Sequence, residues 1–396
     1  MRISEHGQIL ALTLATFVAG ANEYVLAGTL DLVSKGLNVS VEATGQLITI
    51  YALVYGICVP IVVAMTSQIG RRKVLVAAMS IYAIASGLCF FVNDYWVFWG
   101  FRVLQALSGG VAVVSALSTA ATVAGPASQG RAIATVIMGF TASLIVAVPA
   151  GREISLYLGW HAVFLVIGVL GVIAAVVQQF ALPALPPAAS VPLSQQVAML
   201  KRPAIIGGLL VTMLWMAGYV VTYSYLTPYL ADVQSVSGSA ISIILLLFGI
   251  ASLIGSRVGG ANTDRFGYHK TLVASKMLQV LLLLMLALVA SVVHQGATIV
   301  VAVILVLWSV AAWASGPSQQ VRVASLDPNA SGVLVGLNQS AMQLGIAAGT
   351  AMGGMITSDY GLNALPWFSA LVVAMALLIM MALHKAPASH SHGSVH

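Results

Sequence analysis

The sequence predicts an all-α membrane protein with twelve transmembrane helices in two six-helix pseudo-symmetric bundles. Three observations carry that prediction. Of 396 residues, 60% are hydrophobic and 7% are charged, where a soluble domain carries about 25% charged residues. The apolar surplus, a mean hydropathy of +1.01, falls into twelve runs of the length that crosses a bilayer core. The basic residues collect in alternate connections between those runs. Disorder needs low hydrophobicity and high charge and is excluded. The 16 Lys and Arg are too scattered for a phosphate-binding surface, so the net charge of +6 is read as membrane orientation and not nucleic-acid binding.

In order, the spans are 8–32, 43–66, 72–92, 96–123, 131–156, 161–182, 204–230, 238–261, 270–291, 296–316, 332–357 and 363–384. Strand content should be near zero, because a helix satisfies its own backbone in lipid and an open sheet edge does not. Ala19-Gly20-Ala21 loosely fits a signal-peptide cleavage site, but the eleven spans that follow favour a retained first helix. With the N-terminus inside, Arg2, Arg71, Arg72, Lys73, Arg131, Lys201, Arg202, Arg265, Lys270, Arg322 and Lys385 all lie on the cytoplasmic side. The outer connections then hold only Lys35, beside Glu42, Asp94, Asp232 and Asp359. The expectation is a multi-pass inner-membrane protein with both termini cytoplasmic.

The stretch 183–203 interrupts the pattern with Pro183, Pro186, Pro187, Pro192 and Pro203. It reads as a cytoplasmic linker between a bundle at 1–182 and a second at 204–385. A disordered tail, 386–396, carries His390, His392 and His396. The halves echo each other: Ile69-Gly70-Arg71-Arg72-Lys73 and Phe266-Gly267-Tyr268-His269-Lys270 lie 197 residues apart. Paired six-helix repeats with a site between them near the midplane are a transporter architecture. Cys58 and Cys89 sit in apolar runs without metal-ligand spacing, so they read as packing, and no metal is expected.

Four motifs resemble the major facilitator superfamily, in its twelve-helix drug:proton antiporter branch. Gly259-Gly260-Ala261-Asn262-Thr263-Asp264-Arg265-Phe266-Gly267 is similar to the family's inner-loop signature, in which Asp264 and Arg265 can make charge-assisted contacts with neighbouring helix ends. Its N-terminal copy has Ser67 where the family usually has aspartate, which leaves Arg71 and Arg72 as a basic anchor. Arg102 fits the family's fourth-helix arginine. Gly139 and Val148-Pro149-Ala150-Gly151-Arg152 resemble the exporters' fifth-helix Gly/Pro motif, with Val148 in a place often taken by glycine. The seventh span, with Tyr219 and Tyr223, and the eleventh, with Asn338, Gln339 and Gln343, look closest to sugar- and purine-efflux members. The resemblance implies gating roles for Pro149, Gly151, Arg152, Asp264, Arg265, Gly267, Arg71 and Arg72.

An ionisable residue inside hydrocarbon costs several kcal/mol on insertion scales, so each is a functional candidate. Glu23, near the centre of the first span, is the prime one, with Arg102 as the group expected to bias its protonation; a structural Glu23–Arg102 pair is the alternative. Asp31 reads as a solvated acid at the outer helix end, and Arg152 and Glu153 as an outer latch or as snorkelling groups. Arg257 joins the inner-loop charges, and Lys276 snorkels inward. With no basic cluster within the spans, strongly anionic substrates are disfavoured. Tyr219, Tyr223, Asn338 and Gln343, with Asn22 beside Glu23, offer hydrogen bonds and flat faces suited to sugars, nucleobases or drug-like rings.

The reading is a carrier that exports a small molecule in exchange for protons, with the lipid bilayer as its surroundings and the proton gradient as its energy source. It has no cofactor and no catalytic residue and is taken as a monomer. An importer of the same fold is the alternative. A membrane enzyme is disfavoured because H-E-x-x-H and G-x-S-x-G are absent, ATP-driven pumping because there is no Walker A loop, and a channel because the paired halves and single central acid suit alternating access better.

Overall fold

A computed structural model describes residues 4–187, 193–236, 238–292, 298–327 and 330–385. The histidine tail lies outside them. Among the described residues there is no strand. Eleven helical segments have the length and hydropathy of a membrane span. The twelfth, α13 (Ser331–Tyr360), is 30 residues long but less apolar. It carries Asn338, Gln339, Ser340, Gln343 and Thr350, which lower its hydropathy. Large apolar side chains such as Ile84, Phe180, Ile299 and Leu378 point outward. In water such a surface would aggregate, and in lipid it is the solvated one.

The first run divides in two. α1 (Glu5–Gly28) stops at Thr29 and α2 (Leu30–Leu37) follows. A helix end leaves carbonyls without intrahelical donors. Here Arg152 donates to the Gly28 carbonyl at 3.1 Å and Thr227 to the Ala27 carbonyl at 3.2 Å. Hydropathy passes smoothly over the break, which is why a single helix was expected.

α3 (Val41–Met65) and α4 (Arg71–Leu88) match the second and third spans. The fourth and fifth belong to one hydrogen-bonded stretch, α5 (Tyr95–Leu158). At about 1.5 Å per residue it is far longer than a bilayer is thick, and contacts with α1 and α2 show where it reverses. Arg102 meets Asn22, Ser128 meets Glu5, and Arg152 meets Asp31. The chain therefore descends along α1 before Ser128 and climbs it again afterwards. Close approach on the climb depends on glycine: a Cβ on Gly139 would lie 2.4 Å from the Thr13 carbonyl oxygen.

α6 (Trp160–Ala181) completes the first bundle. The interruption that follows is not all extended, because α7 (Leu193–Met199) lies within the expected linker. Arg202, which caps the next helix, pairs with Asp327 at 2.5 Å. α8 (Pro203–Tyr223) ends before Pro228, whose ring removes a backbone donor and obstructs helix continuation. The chain continues through α9 (Leu226–Pro228) and a π turn, Tyr229–Val233.

α10 (Gly238–Phe266), α11 (Tyr268–Val292), α12 (Thr298–Ala324), α13 and α14 (Leu365–Lys385) complete the second bundle. α12 runs past Pro317, eight residues beyond the expected end at 316. Its polar extension is held inside: Ser318 pairs with Thr263 at 2.6 Å, and Gln319 donates to Thr212 at 2.7 Å. The most enclosed spans are Pro203–Val233 and Glu5–Gly28, 72% and 67% buried. They carry the Tyr219 and Glu23 regions.

Candidate functional site

Glu23 projects from α1 into the contact between the bundles and is 9% exposed. Its Oε1 accepts a hydrogen bond from Gln343 Nε2 of α13 at 2.9 Å, and its Oε2 has no partner among the described residues. The close approach is built by Gly56 of α3, where a Cβ would meet the Gln343 Cβ at 3.2 Å.

Arg102 is fully buried beside this acid but does not pair with it. Its Nη1 donates to Asn22 Oδ1 at 2.8 Å and Gln105 Oε1 at 3.1 Å, and its Nε to the Leu47 carbonyl at 3.4 Å. The guanidinium also lies over the Tyr51 ring, 4.3 Å from its centre, an attraction that strengthens away from water. The permanent Glu23–Arg102 salt bridge offered as an alternative is therefore not formed. Asn22, adjacent to Glu23 in sequence, takes the arginine's side-chain bond instead.

Around this pair the first bundle leaves several polar atoms without partners among the described residues: Glu23 Oε2, Asn22 Nδ2, Arg102 Nη2 and the hydroxyls of Tyr51 and Tyr55. Tyr51 and Tyr55 were not singled out from sequence, although their spacing of four is that of Tyr219 and Tyr223 and gives the same shared face. Tyr55 also lines a cavity of about 340 Å³ between the bundles, with Arg71, Ser115, Gln196, Gln339 and Ser340. Gln343 stands one helical turn beyond Ser340. The cavity thus lies at the end of the protein that bears the Arg71 loop and α7, below the Glu23–Gln343 contact.

Tyr219 and Tyr223 come together as expected, stacked 5.1 Å apart at 16°. Their faces are already occupied. Phe248 stacks on Tyr223 at 5.5 Å, Trp308 lies 5.3 Å from Tyr219, and Trp313 Nε1 donates to the Tyr219 hydroxyl at 3.3 Å. Asn338 does not join them: its Oδ1 accepts from Thr212 at 2.6 Å, within the network that Gln319 completes. Only Gln343 of the second-bundle candidates touches Glu23.

The gating candidates divide. Arg152 makes a bidentate pair with Asp31, at 2.8 and 3.0 Å, and both side chains are buried. This corrects the reading of Asp31 as solvated: the break at Thr29 turns it inward, where the α5 arginine meets it. Glu153 faces another neighbour and accepts from Ser239 at 3.3 Å. Pro149 is buried one turn before Arg152, and Gly151 packs on Val25.

Arg71 donates to the Ser118 carbonyl at 2.8 Å and to the Thr122 hydroxyl, and Arg72 to the Leu182 carbonyl at 3.3 Å. Backbone carbonyls and a hydroxyl thus take the arginines' hydrogens beside Ser67. Asp264 and Arg265 are exposed and make no ion pair among the described residues; Arg265 lies over the Phe266 ring instead. Gly267, at φ +84°, turns the chain into α11 there and leaves both side chains facing out. Lys276 does not snorkel. It is fully buried, with Nζ 4.7 Å from the centre of the Trp215 ring. Arg322 is also buried, not a loop residue, because α12 extends past it.

Residues 12–350 match the family model of the Major Facilitator Superfamily. The chain is 43% identical over 376 residues to the uncharacterized MFS-type transporter YbcL of Bacillus subtilis (strain 168), covering 95% of each chain. It is 31% identical over 381 residues to the inner membrane transport protein YdhP of Escherichia coli (strain K12), covering 96% of each. Among solved structures, the nucleoside transporter NupG aligns with a TM-score of 0.79 at 15% identity, over 96% of this chain and 100% of that one. A bacterial homolog of the human lysosomal transporter Spinster, inward-facing and unoccupied, aligns at 0.76 and 17%, over 97% and 99%. These two share the fold. With the family model covering most of the sequence, and with close relatives named as transporters, the chain belongs to the major facilitator superfamily and is a membrane transporter.

Proposed function

We propose that the protein exports a small organic molecule across the inner membrane in exchange for protons, by alternating access. The observation that supports this best is the contact between Glu23 of one bundle and Gln343 of the other. An ionised carboxylate is an acceptor only, so the amide N–H satisfies it. A protonated Glu23 carries a hydrogen to be donated, and its second oxygen has no hydrogen-bond partner among the described residues in the packed arrangement. Proton binding then weakens one contact between the bundles, and proton release restores it. That is the link a proton-coupled carrier needs.

The cargo contacts the polar atoms beside Glu23, with Asn22, Tyr51, Tyr55 and Gln343 as hydrogen-bonding groups; the Tyr219–Tyr223 stack supplies an apolar wall. Sugars, nucleosides and drug-like rings suit such a surface. In the orientation favoured by the basic residues, both termini and the 340 Å³ cavity face the cytoplasm. The glycine-dependent packing of α5 on α1 supports the export direction through its resemblance to exporters. The bundles are linked at 183–203, the energy source is the proton gradient without a bound cofactor, and one chain encloses the path.

The test uses inverted inner-membrane vesicles energised by respiration. Ligands are first selected by thermal shift from sugars, nucleosides and antibiotics. Accumulation of a hit inside inverted vesicles, abolished by an uncoupler, is the expected result. Uncoupler-insensitive flux sinks the coupling, and accumulation in right-side-out vesicles alone sinks the direction.

A further inference from the structure

The second bundle contains no acid within the body of its spans. Asp232 lies in the π turn, Asp264 near the end of α10, Asp327 between α12 and α13, and Asp359 at the end of α13. Yet Lys276 is fully buried on α11, with no hydrogen-bond partner for Nζ and no carboxylate within salt-bridge distance among the described residues. The ammonium faces the Trp215 ring. A buried ammonium without a counter-charge is among the most costly groups a helix bundle can contain.

A second cation is nearby. Arg322 on α12 is 8% exposed and leaves Nη1 without a partner among the described residues. Between them runs a polar lane. Ser315, Gln319 and Arg322 are spaced by four and three and share one face of α12. Gln279, nearly one turn from Lys276 on α11, donates to Ser315 at 3.1 Å. The lane leads from the α12 end toward the lysine. Two buried cations without a carboxylate partner among the described residues, joined by polar side chains, are complementary to a single negative group.

We propose that Lys276, with Arg322, forms a subsite for one compact anion, either the carboxylate of a transported molecule or an inorganic halide. The anion replaces the missing acid and takes charge-assisted hydrogen bonds from both. As a statement about cargo this deepens the transport proposal and rests on it. The test reads binding alone, so the two ideas fail separately.

Purified full-length protein is assayed by scintillation proximity with radiolabelled benzoate, at constant ionic strength, with acetate and chloride as competitors. Thermal unfolding is followed in parallel. Saturable benzoate binding, competed by acetate but not chloride, assigns a carboxylate; Lys276-dependent thermal protection by chloride alone assigns a halide. In either case Lys276→Met weakens the response by about tenfold or more while Lys276→Arg retains it. Lys276→Met removes an uncompensated charge and should fold at least as stably as the parent. Arg322→Gln provides a second variant, with a smaller loss expected. Absence of any saturable anion effect in the parent, or an undiminished one in Lys276→Met, overturns the subsite.

Discussion

Gln343 donates to Glu23 across 2.9 Å between α13 and α1, so that one amide of the second bundle satisfies one buried acid of the first. The prediction follows from the cost of removing a donor to a charged acceptor, about 1.5–3 kcal/mol. Gln343→Ala should shift the protein toward separated bundles. Alkylation of a cysteine placed at Ser340, which lines the adjoining cavity, should then be faster than with Gln343 intact. Equal rates would show that the contact does not hold the bundles together.

Arg102 spends its hydrogens on three residues from α1, α3 and α5 while its plane covers Tyr51. Lysine retains the charge but neither the fork nor the flat face. Arg102→Lys should therefore lose most transport and roughly 1–3 kcal/mol of stability, read as flux in proteoliposomes and as thermal unfolding. A variant that keeps both would mean that charge alone matters at this position.

The buried Asp31–Arg152 pair makes a different prediction. Removing one partner strands a charge, at about 3–5 kcal/mol. Asp31→Asn should be strongly destabilising, and Asp31→Asn with Arg152→Gln less so than the sum of the two single changes. Thermal unfolding of the three variants decides. Additive effects would contradict a direct pair.

The helix spacing at Gly139 is testable by size. Its added Cβ has only 2.4 Å to a backbone oxygen, which cannot rotate away. Gly139→Val should cost about 1–3 kcal/mol from overpacking and should slow any motion of α5 along α1. Unchanged stability would mean that the two helices are free to separate.

The span positions were legible because hydropathy reports which segments can exist in lipid, and each membrane helix satisfies its backbone locally. The break at Thr29 was not, since Leu26, Leu30 and Val33 continue the apolar pattern across it; its cause lies in Arg152 and Thr227, which are remote in sequence. Glu23 stood out from a single property, charge within an apolar run. Its partner did not, because Gln343 is 320 residues away and was indistinguishable from Asn338, which the fold assigns to Thr212. Lys276 carried the same signal as Glu23. The preference for long side chains to reach an interface pointed the wrong way, because only packing decides whether a lysine in a span turns outward or lies over a tryptophan. Asp264 and Arg265 show the converse: a motif places charges at a loop, but which partner they meet depends on the helix ends around them.

The central claim is that protonation of Glu23 couples the proton gradient to movement of the bundles. Glu23→Gln tests it most directly, since glutamine can still accept from Gln343 but cannot gain or lose a proton near neutral pH. The measurement compares two modes in the same proteoliposomes with a ligand identified by thermal shift: counterflow without a gradient, and uptake driven by an imposed pH gradient. The expected result is counterflow retained and gradient-driven accumulation abolished. Gradient-driven accumulation at the parental level would contradict the account.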